Sequence, residues 1–444
     1  MASRTYIDQA QPSSPVPHWN LVTRVAFRFC FVYFGLYCIV TQVLSGLIPT
    51  PPNVSIPNLD TFWPMRPIIF WTAAHVFRIT HSLVYTGSGS GDKTFDWVEA
   101  FCLLVFGTLA TGIWSVLDRR RENYVTMHKW FRLFIRFAVA GQMLAYAFAK
   151  IIPLQMSFPF FSTLLEPFGH LSPMGVLWAS IGAAPAYEIF AGSAEALGGI
   201  LLIVPRTTTL GALVCLADMT NVFMLNMAYD VPVKLFSFHM ILLSLFLLAP
   251  ELPRLANLFL RDRAAAPSAQ PQLFRPRRAN RIGFAAQIAF GLFLLGMNTY
   301  GSLSARYVYG DKAPEPPLYG IWDVGQMSTD GQVRSPLLND YDRWRRVIFE
   351  SYGGPFMVFQ HMDESFASYA ISINAHDKTI TLTKGSDKKW KANFTYQRPT
   401  QNQLILDGQM DSHKIHMQLQ LFDTKKFLLV SRGFHWIQEY PYNR

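Results

Sequence analysis

Seven runs of about twenty apolar residues divide the first three hundred positions of the chain. A helix rising about 1.5 Å per residue needs about 20 such residues to cross a hydrocarbon layer roughly 30 Å thick. Within that layer the backbone must satisfy its own hydrogen bonds, which leaves helix as the available form for each run. They lie at about Val22 to Ile48, Phe95 to Leu117, Leu133 to Leu154, Ala186 to Val204, Thr208 to Met227, Val233 to Leu248 and Ile282 to Leu303. A further stretch, Ile68 to Leu83, carries His75, Arg78 and His81. It is too short and too polar to span, so it is expected to lie at the interface or re-enter.

Positive charge sets the expected orientation. Arg119 to Arg136 holds six Lys or Arg, and Pro250 to Arg281 holds seven, whereas Gln155 to Ala184 holds none. Basic loops stay in the cytoplasm. The N-terminus is therefore expected inside and the C-terminus outside. The net charge of +10 accumulates in those loops, so it argues for membrane topology and against a nucleic-acid partner. The lipid bilayer is the expected surrounding. The apolar run near Val22 lacks a small-residue cleavage site and reads as a retained helix. Cys30, Cys38, Cys102 and Cys215 all fall in apolar runs, with no paired redox spacing. Gly87-Ser88-Gly89-Ser90-Gly91-Asp92-Lys93 lacks the Lys-Ser/Thr ending and preceding strand of a phosphate cradle, and reads as a flexible external loop. The Ala-Pro-Ser-Gln stretch between Pro250 and Arg281 reads as a flexible linker.

From Pro314 the periodicity changes. Strands are expected at Leu318 to Val324, Phe356 to Gln360, Ser368 to Ile373, Lys378 to Thr383, Trp390 to Tyr396, Asn402 to Leu406, Lys414 to Leu421 and Lys426 to Val430. Turns are expected at Gly385-Ser386-Asp387 and Asp407-Gly408, and a short amphipathic helix at Tyr341 to Phe349. Alternation at this spacing argues for an antiparallel meander closing into a small up-and-down barrel. The expected organisation is thus a multi-pass helical membrane bundle of about seven spans over 1–304, a connector over 305–313, and an extracytoplasmic β domain over 314–444. The aromatic ending Arg432 to Glu439 is expected to close the barrel core and edge.

Ionisable side chains inside apolar helices carry the chemistry. A charge at mid-bilayer costs about 2.5–3.5 kcal/mol even on the cheaper insertion scales, so such residues face a bundle interior or a wet cavity. Lys150, Glu188, Glu195, Asp218, Asn221 and His239 are the candidates. Glu188 and Glu195 are seven apart and share a helical face, as do Asp218 and Asn221 at three apart. Lys150 ends one span at the level where Glu188 begins the next, placing a Lys–carboxylate pair within reach. A proton path, a quinone head-group site, an ion site and mutual pairing that only fixes the helices all remain open. Asp230 and Lys234 flank Pro232 and read as a turn lock. His239 reads as a hydrogen-bonded core residue, and the six-residue spacing of His75 and His81 fits no metal pattern. His413 and His416 fall on opposite faces of a strand, which argues against joint ligation. Gly192, Gly198 and Gly199 permit close helix approach.

Phe148-Ala149-Lys150, the run from Glu188 to Gly199 and Pro205-Arg206-Thr207 together resemble the DoxX family of small bacterial four-helix membrane proteins. The resemblance covers about Leu133 to Leu248. It implies a bacterial inner-membrane protein serving a quinone-linked redox system, with quinone as the ligand class and a membrane redox protein as partner. Spans before and after that core, and the β domain, depart from the family pattern. The β domain resembles a lipocalin-type barrel in pattern. A non-enzymatic scaffold, or a protein handling lipid or another apolar ligand, is the alternative.

Overall fold

A computed structural model describes residues 18–52, 54, 56–264, 272–385, 387 and 389–443. The polar stretch with Pro12, Pro15 and Pro17, Ser386 of one expected turn, and the 265–271 part of the Ala-Pro-Ser-Gln segment lie outside the described residues. Among the described residues the chain, a membrane protein, has seven helices long and apolar enough to cross a membrane and a C-terminal closed antiparallel barrel.

The spans are α1 (Leu21–Val40), α2 (Thr94–Leu117), α3 (Val125–Ile151), α4 (Pro185–Ile203), α5 (Thr208–Ala228), α6 (Lys234–Leu248) and α7 (Arg277–Tyr309). Asn20 starts α1 by accepting the Thr23 N–H at 2.8 Å, satisfying one of the donors every helix start leaves open. A short helix, Val43–Leu47, follows α1, and Met65–His75 is an 11-residue helix, too short to span. His75 there is exposed and stacked on Trp71. Past Leu248 the chain stays helical through Leu252–Phe259, giving a 26-residue apolar unit.

The centre of the bundle is α3 against α4. A β-carbon on Gly192 would stand 2.7 Å from both the Ala147 carbonyl oxygen and the Lys150 Cβ. Only a hydrogen at that position lets the two helices meet. The rim is α2 and α7, where Phe106, Leu109, Ile113, Ile282 and Leu292 are exposed, as side chains facing lipid should be.

Contacts between spans fix their directions. Arg132, early in α3, reaches the carbonyl of Leu247 late in α6 at 3.2 Å, and Lys129 reaches the carbonyls of Gln272 and Leu273 before α7 at 2.8 Å. Arg28 of α1 is buried against Tyr124, Ser115 and the Asp118 carbonyl at 2.7–2.9 Å. The basic loops thus gather at one end, and the ends of α3 and α7 lie at the other, beside the β domain. Sequence reading placed Arg132 and Arg136 before or at the edge of the third span. That helix starts at Val125, eight residues earlier, so both lie within it.

The barrel consists of β1 (Gly320–Thr329), β2 (Gln332–Val333), β3 (Trp344–Ser351), β4 (Pro355–His361), β5 (Phe366–Asn374), β6 (Thr379–Thr383), β7 (Lys391–Thr400), β8 (Gln403–Met410) and β9 (His413–Leu421). β2 pairs with β1 alone, β1 pairs with β3, β3 to β9 pair in chain order, and β1 pairs with β9 from Trp322↔Leu421 to Thr329↔Ile415, closing the barrel. Trp322, Phe349, Phe359, Phe394, Leu406 and Met417 fill the interior, and Trp344 stacks on Phe359 at 3.7 Å.

Four local expectations are corrected. Tyr341 to Phe349 is not helical: Val347, Ile348 and Phe349 are consecutively buried in β3, because one face meets the barrel core and the other meets Phe161 and Leu165. Lys426 to Val430 is not a strand but a 3-10 turn leading into the helix Leu428–Ser431, since β9 has already closed the barrel. Asp407-Gly408 lies inside β8, and the turn is Asp411-Ser412, both at positive φ. Phe434, Trp436 and Ile437 are exposed, so the ending does not close the core. Helix α7 also runs to Tyr309, through much of the expected connector.

Glu350 of β3 holds the barrel to the bundle. Its carboxylate accepts the Phe161 N–H at 2.5 Å and the Ser162 hydroxyl at 3.0 Å, and burial holds it above the usual carboxylate range.

Candidate functional site

Lys150, Glu188, Glu195, Asp218 and Asn221 line one cavity of about 90 Å³ near the β-domain end of the bundle. The close approach at Gly192 brings α3 to α4, so the last turn of α3 presents Lys150 to the middle of α4. Lys150 Nζ stands 2.6 Å from Glu195 Oε1. Axial level alone predicts Glu188 opposite the lysine. Instead Glu188 accepts the Met156 N–H at 3.0 Å, because the chain after α3 folds back over the start of α4. Glu188 and Glu195 are wholly buried, Asp218 is half-buried, and Asn221 joins from an otherwise exposed position on α5.

His239 is not part of this cavity. Its Nδ1 lies 2.7 Å from the Leu235 carbonyl and its Nε2 2.8 Å from the Tyr33 hydroxyl, and its ring stacks on Tyr37 at 3.8 Å. It is a satisfied packing residue between α1 and α6. His413 and His416 engage separate partners, Asp330 and Asp407.

On three residues that line this cavity a carboxylate oxygen is buried without a hydrogen-bond partner: Glu188 Oε2, Glu195 Oε2 and Asp218 Oδ2. Leaving such atoms buried without a partner is costly, and their three residues border one space. The rest of the wall is mostly apolar, with Leu177, Trp178, Met219, Val222 and Leu225. Tyr146, Asn226 and Ser237 add polar groups that sequence reading did not single out. Tyr146 could have been found, since it stands one turn before Lys150, whose ammonium lies 5.6 Å from its ring centre. Asn226 donates to Ser237 Oγ at 3.0 Å, a pairing across two helices that no local spacing reveals.

A second, wider cavity of about 460 Å³ adjoins the first, sharing Tyr146, Val233 and Phe236 as a common wall. Asp60, Asp96 and Glu99 line it, and buried oxygens of Asp60 and Glu99 lack partners. Asp60, in the loop before the Met65–His75 helix, has its pKa pushed up to about 6, first by burial and then by the charge of Asp96. The glycine-rich loop borders this cavity and is tied down rather than free. Asp92 accepts the Lys234 and Leu235 N–H groups at 2.8 and 2.9 Å, capping α6. The Asp230–Lys234 lock is present at 2.8 Å.

No family model matches the chain. It is similar to "Uncharacterized protein YwoB" of Bacillus subtilis (strain 168), 26% identical over 138 residues, which is 29% of this chain and 79% of that protein. No solved structure matches.

Proposed function

We propose that the chain is a DoxX-type component of a quinone-linked redox system in a bacterial inner membrane. The N-terminus lies in the cytoplasm and the β domain outside, following the basic loops at the opposite end. The observation that carries the reading is the mostly apolar cavity bordered by the Lys150–Glu195 pair and by three carboxylates that each keep an unpartnered oxygen.

The residues suit a quinone head group. Trp178, Met219 and Leu225 give its ring an apolar wall, and the space of about 90 Å³ exceeds several-fold the roughly 10–15 Å³ that one water needs. A quinone held there would supply the redox chemistry, with two electrons from a membrane partner and two protons giving the quinol. Lys150 would offer its ammonium as a donor to a ring oxygen. Glu188 and Asp218, once protonated, are placed to hold and deliver the two protons. Tyr146 separates them from the carboxyl groups of the adjoining cavity, which supports proton supply from the β-domain end.

The alternative, a scaffold or a protein handling apolar ligands, would place ligand in the barrel or leave the bundle inert. The barrel interior is filled by its own side chains, which favours the bundle as the ligand-bearing part. The experiment is purification from membranes with mass spectrometry for bound quinone, followed by assay of quinone reduction with a thiol or sulfur donor. Quinone should co-purify with the native chain and be lost from Lys150→Ala and Glu188→Ala. If both variants keep bound quinone and full activity, the reading is wrong.

A further inference from the structure

The end of the bundle away from the β domain contains a third cavity, of about 610 Å³, that the redox reading does not use. Four cationic side chains line it: Lys129, Arg132, Arg136 and Arg206. We infer that this cavity is a binding site for a phosphate-bearing anion, such as the head group of an anionic phospholipid.

Basic residues at membrane-protein loops ordinarily reflect topology alone. Arg132 and Arg136 are different. They lie seven and eleven residues into α3, about 10 and 16 Å along its axis. Both residues are buried. Each spends one terminal nitrogen within the protein: Arg132 donates to the Leu247 carbonyl, and Arg136 to the Gln287 side chain. The Nε of each is buried with no partner. A guanidinium offers Nε–H and a terminal N–H as a planar fork that matches two oxygens of one phosphate. Two guanidinium groups whose Nε atoms lack a partner, on one helix face a turn apart beside this cavity, point to an anion site rather than a solvated surface.

Charge balance points the same way. Among the described residues the carboxylate placed against this group is Glu251, 4.0 Å from Arg132. Lys129 meets two backbone carbonyls and no carboxylate. An excess of buried cations is unfavourable until an anion enters. Leu133, Val204 and Phe284 complete the wall and offer an apolar flank beside the charges, which suits a head group with its acyl chains. Basic pockets between membrane helices bind such head groups by this combination.

The test uses the full-length protein purified in zwitterionic detergent. One arm adds phosphatidylglycerol or cardiolipin and the other inorganic phosphate, with retained adducts read by native mass spectrometry. The expected result is saturable retention of anionic lipid, at least about tenfold weaker in Arg132→Gln/Arg136→Gln, and weaker at high salt. Retention of inorganic phosphate without lipid would identify the free anion as the source. If the double variant fails to fold, Arg206→Gln, at an exposed position on the α4–α5 turn, is the deciding variant and should lower retention several-fold. Retention of neither ligand, or equal retention by native and variant chains, overturns the proposal. Quinone content is unaffected by either outcome, so this test and that of the redox reading fail independently.

Discussion

Replacing Lys150 with Met keeps the length of the side chain but leaves Glu195 facing an apolar cavity without its ammonium partner at 2.6 Å. The abandoned carboxylate has two options, to stay charged or to take a proton. The second caps the cost. Holding a glutamic acid neutral at pH 7, against an ordinary pKa of about 4.3, costs about 3.7 kcal/mol at 1.36 kcal/mol per pH unit. This falls within the roughly 3–5 kcal/mol seen when one member of a buried pair is removed. Ordinary polar contacts between membrane helices average only about 0.6 kcal/mol, so the two expectations separate well. The assay is reversible unfolding in mixed micelles with increasing SDS. Lys150→Met should lose about 3 kcal/mol or more at pH 7 and only about 1 kcal/mol at pH 5, where protonating Glu195 is cheap. Lys150→Met/Glu195→Gln should recover most of the loss at both pH values. A single variant within 1 kcal/mol of the native chain at pH 7, or a loss that does not shrink on acidification, would refute this account of the pair.

Gly192→Ala should cost about 1–3 kcal/mol by the same assay, because the added methyl meets the Ala147 carbonyl at 2.7 Å; a neutral result would mean that α3 and α4 do not pack this closely. Glu350→Leu leaves the Phe161 N–H without its acceptor, at about 1–3 kcal/mol, and should speed proteolysis between Pro153 and Pro167; Glu350→Gln, which keeps an acceptor, should be closer to native cleavage rates. Asp60 has a pKa raised in the folded chain to about 6, so the folded form binds the proton more tightly than the unfolded one. Its stabilisation is complete below about pH 4 and lost as the pH rises to about 6, with Asp96, Glu99 and Lys93 facing it from α2 and its approach. Asp60→Asn should flatten thermal stability across pH 4–6, and an unchanged slope would assign that dependence to another group.

Most of the architecture was legible because its signals are local. Apolar length located all seven spans, and alternation such as Ile371–Ile373 and Ile380–Leu382 located most strands. Errors fell where tertiary context overrides local pattern. Val347-Ile348-Phe349 loses its alternation because β3 is buried on both faces. Gly408 suggests a turn to a local reader, but in the barrel it gives room to Phe394, whose ring carbon would be 2.4 Å from a β-carbon there. The five residues that share the first cavity were legible as charges in apolar helices, while His239 belongs with Tyr33 and Tyr37 of α1. Which carboxylate pairs with Lys150 was not legible. Axial level favoured Glu188, but the return of the chain at Met156 occupies that carboxylate and leaves the ammonium to Glu195.

That return segment links the bundle cavity to the barrel. Met156 donates to Glu188, and five residues later Phe161 donates to Glu350. Gln155 and Met156 line the cavity, while Phe161 and Leu165 pack against Ile321, Ile348 and Val358 of the barrel. A segment held at both points by buried carboxylates cannot move at one without straining the other. A ligand that takes over the hydrogen bonding of Glu188 would release Met156 and so bear on the seat of the β domain. By reciprocity, a partner that shifts the barrel would change the affinity of the cavity by the same factor. A barrel filled by its own side chains and tied to the cavity wall through this segment would transmit such a shift without a ligand of its own.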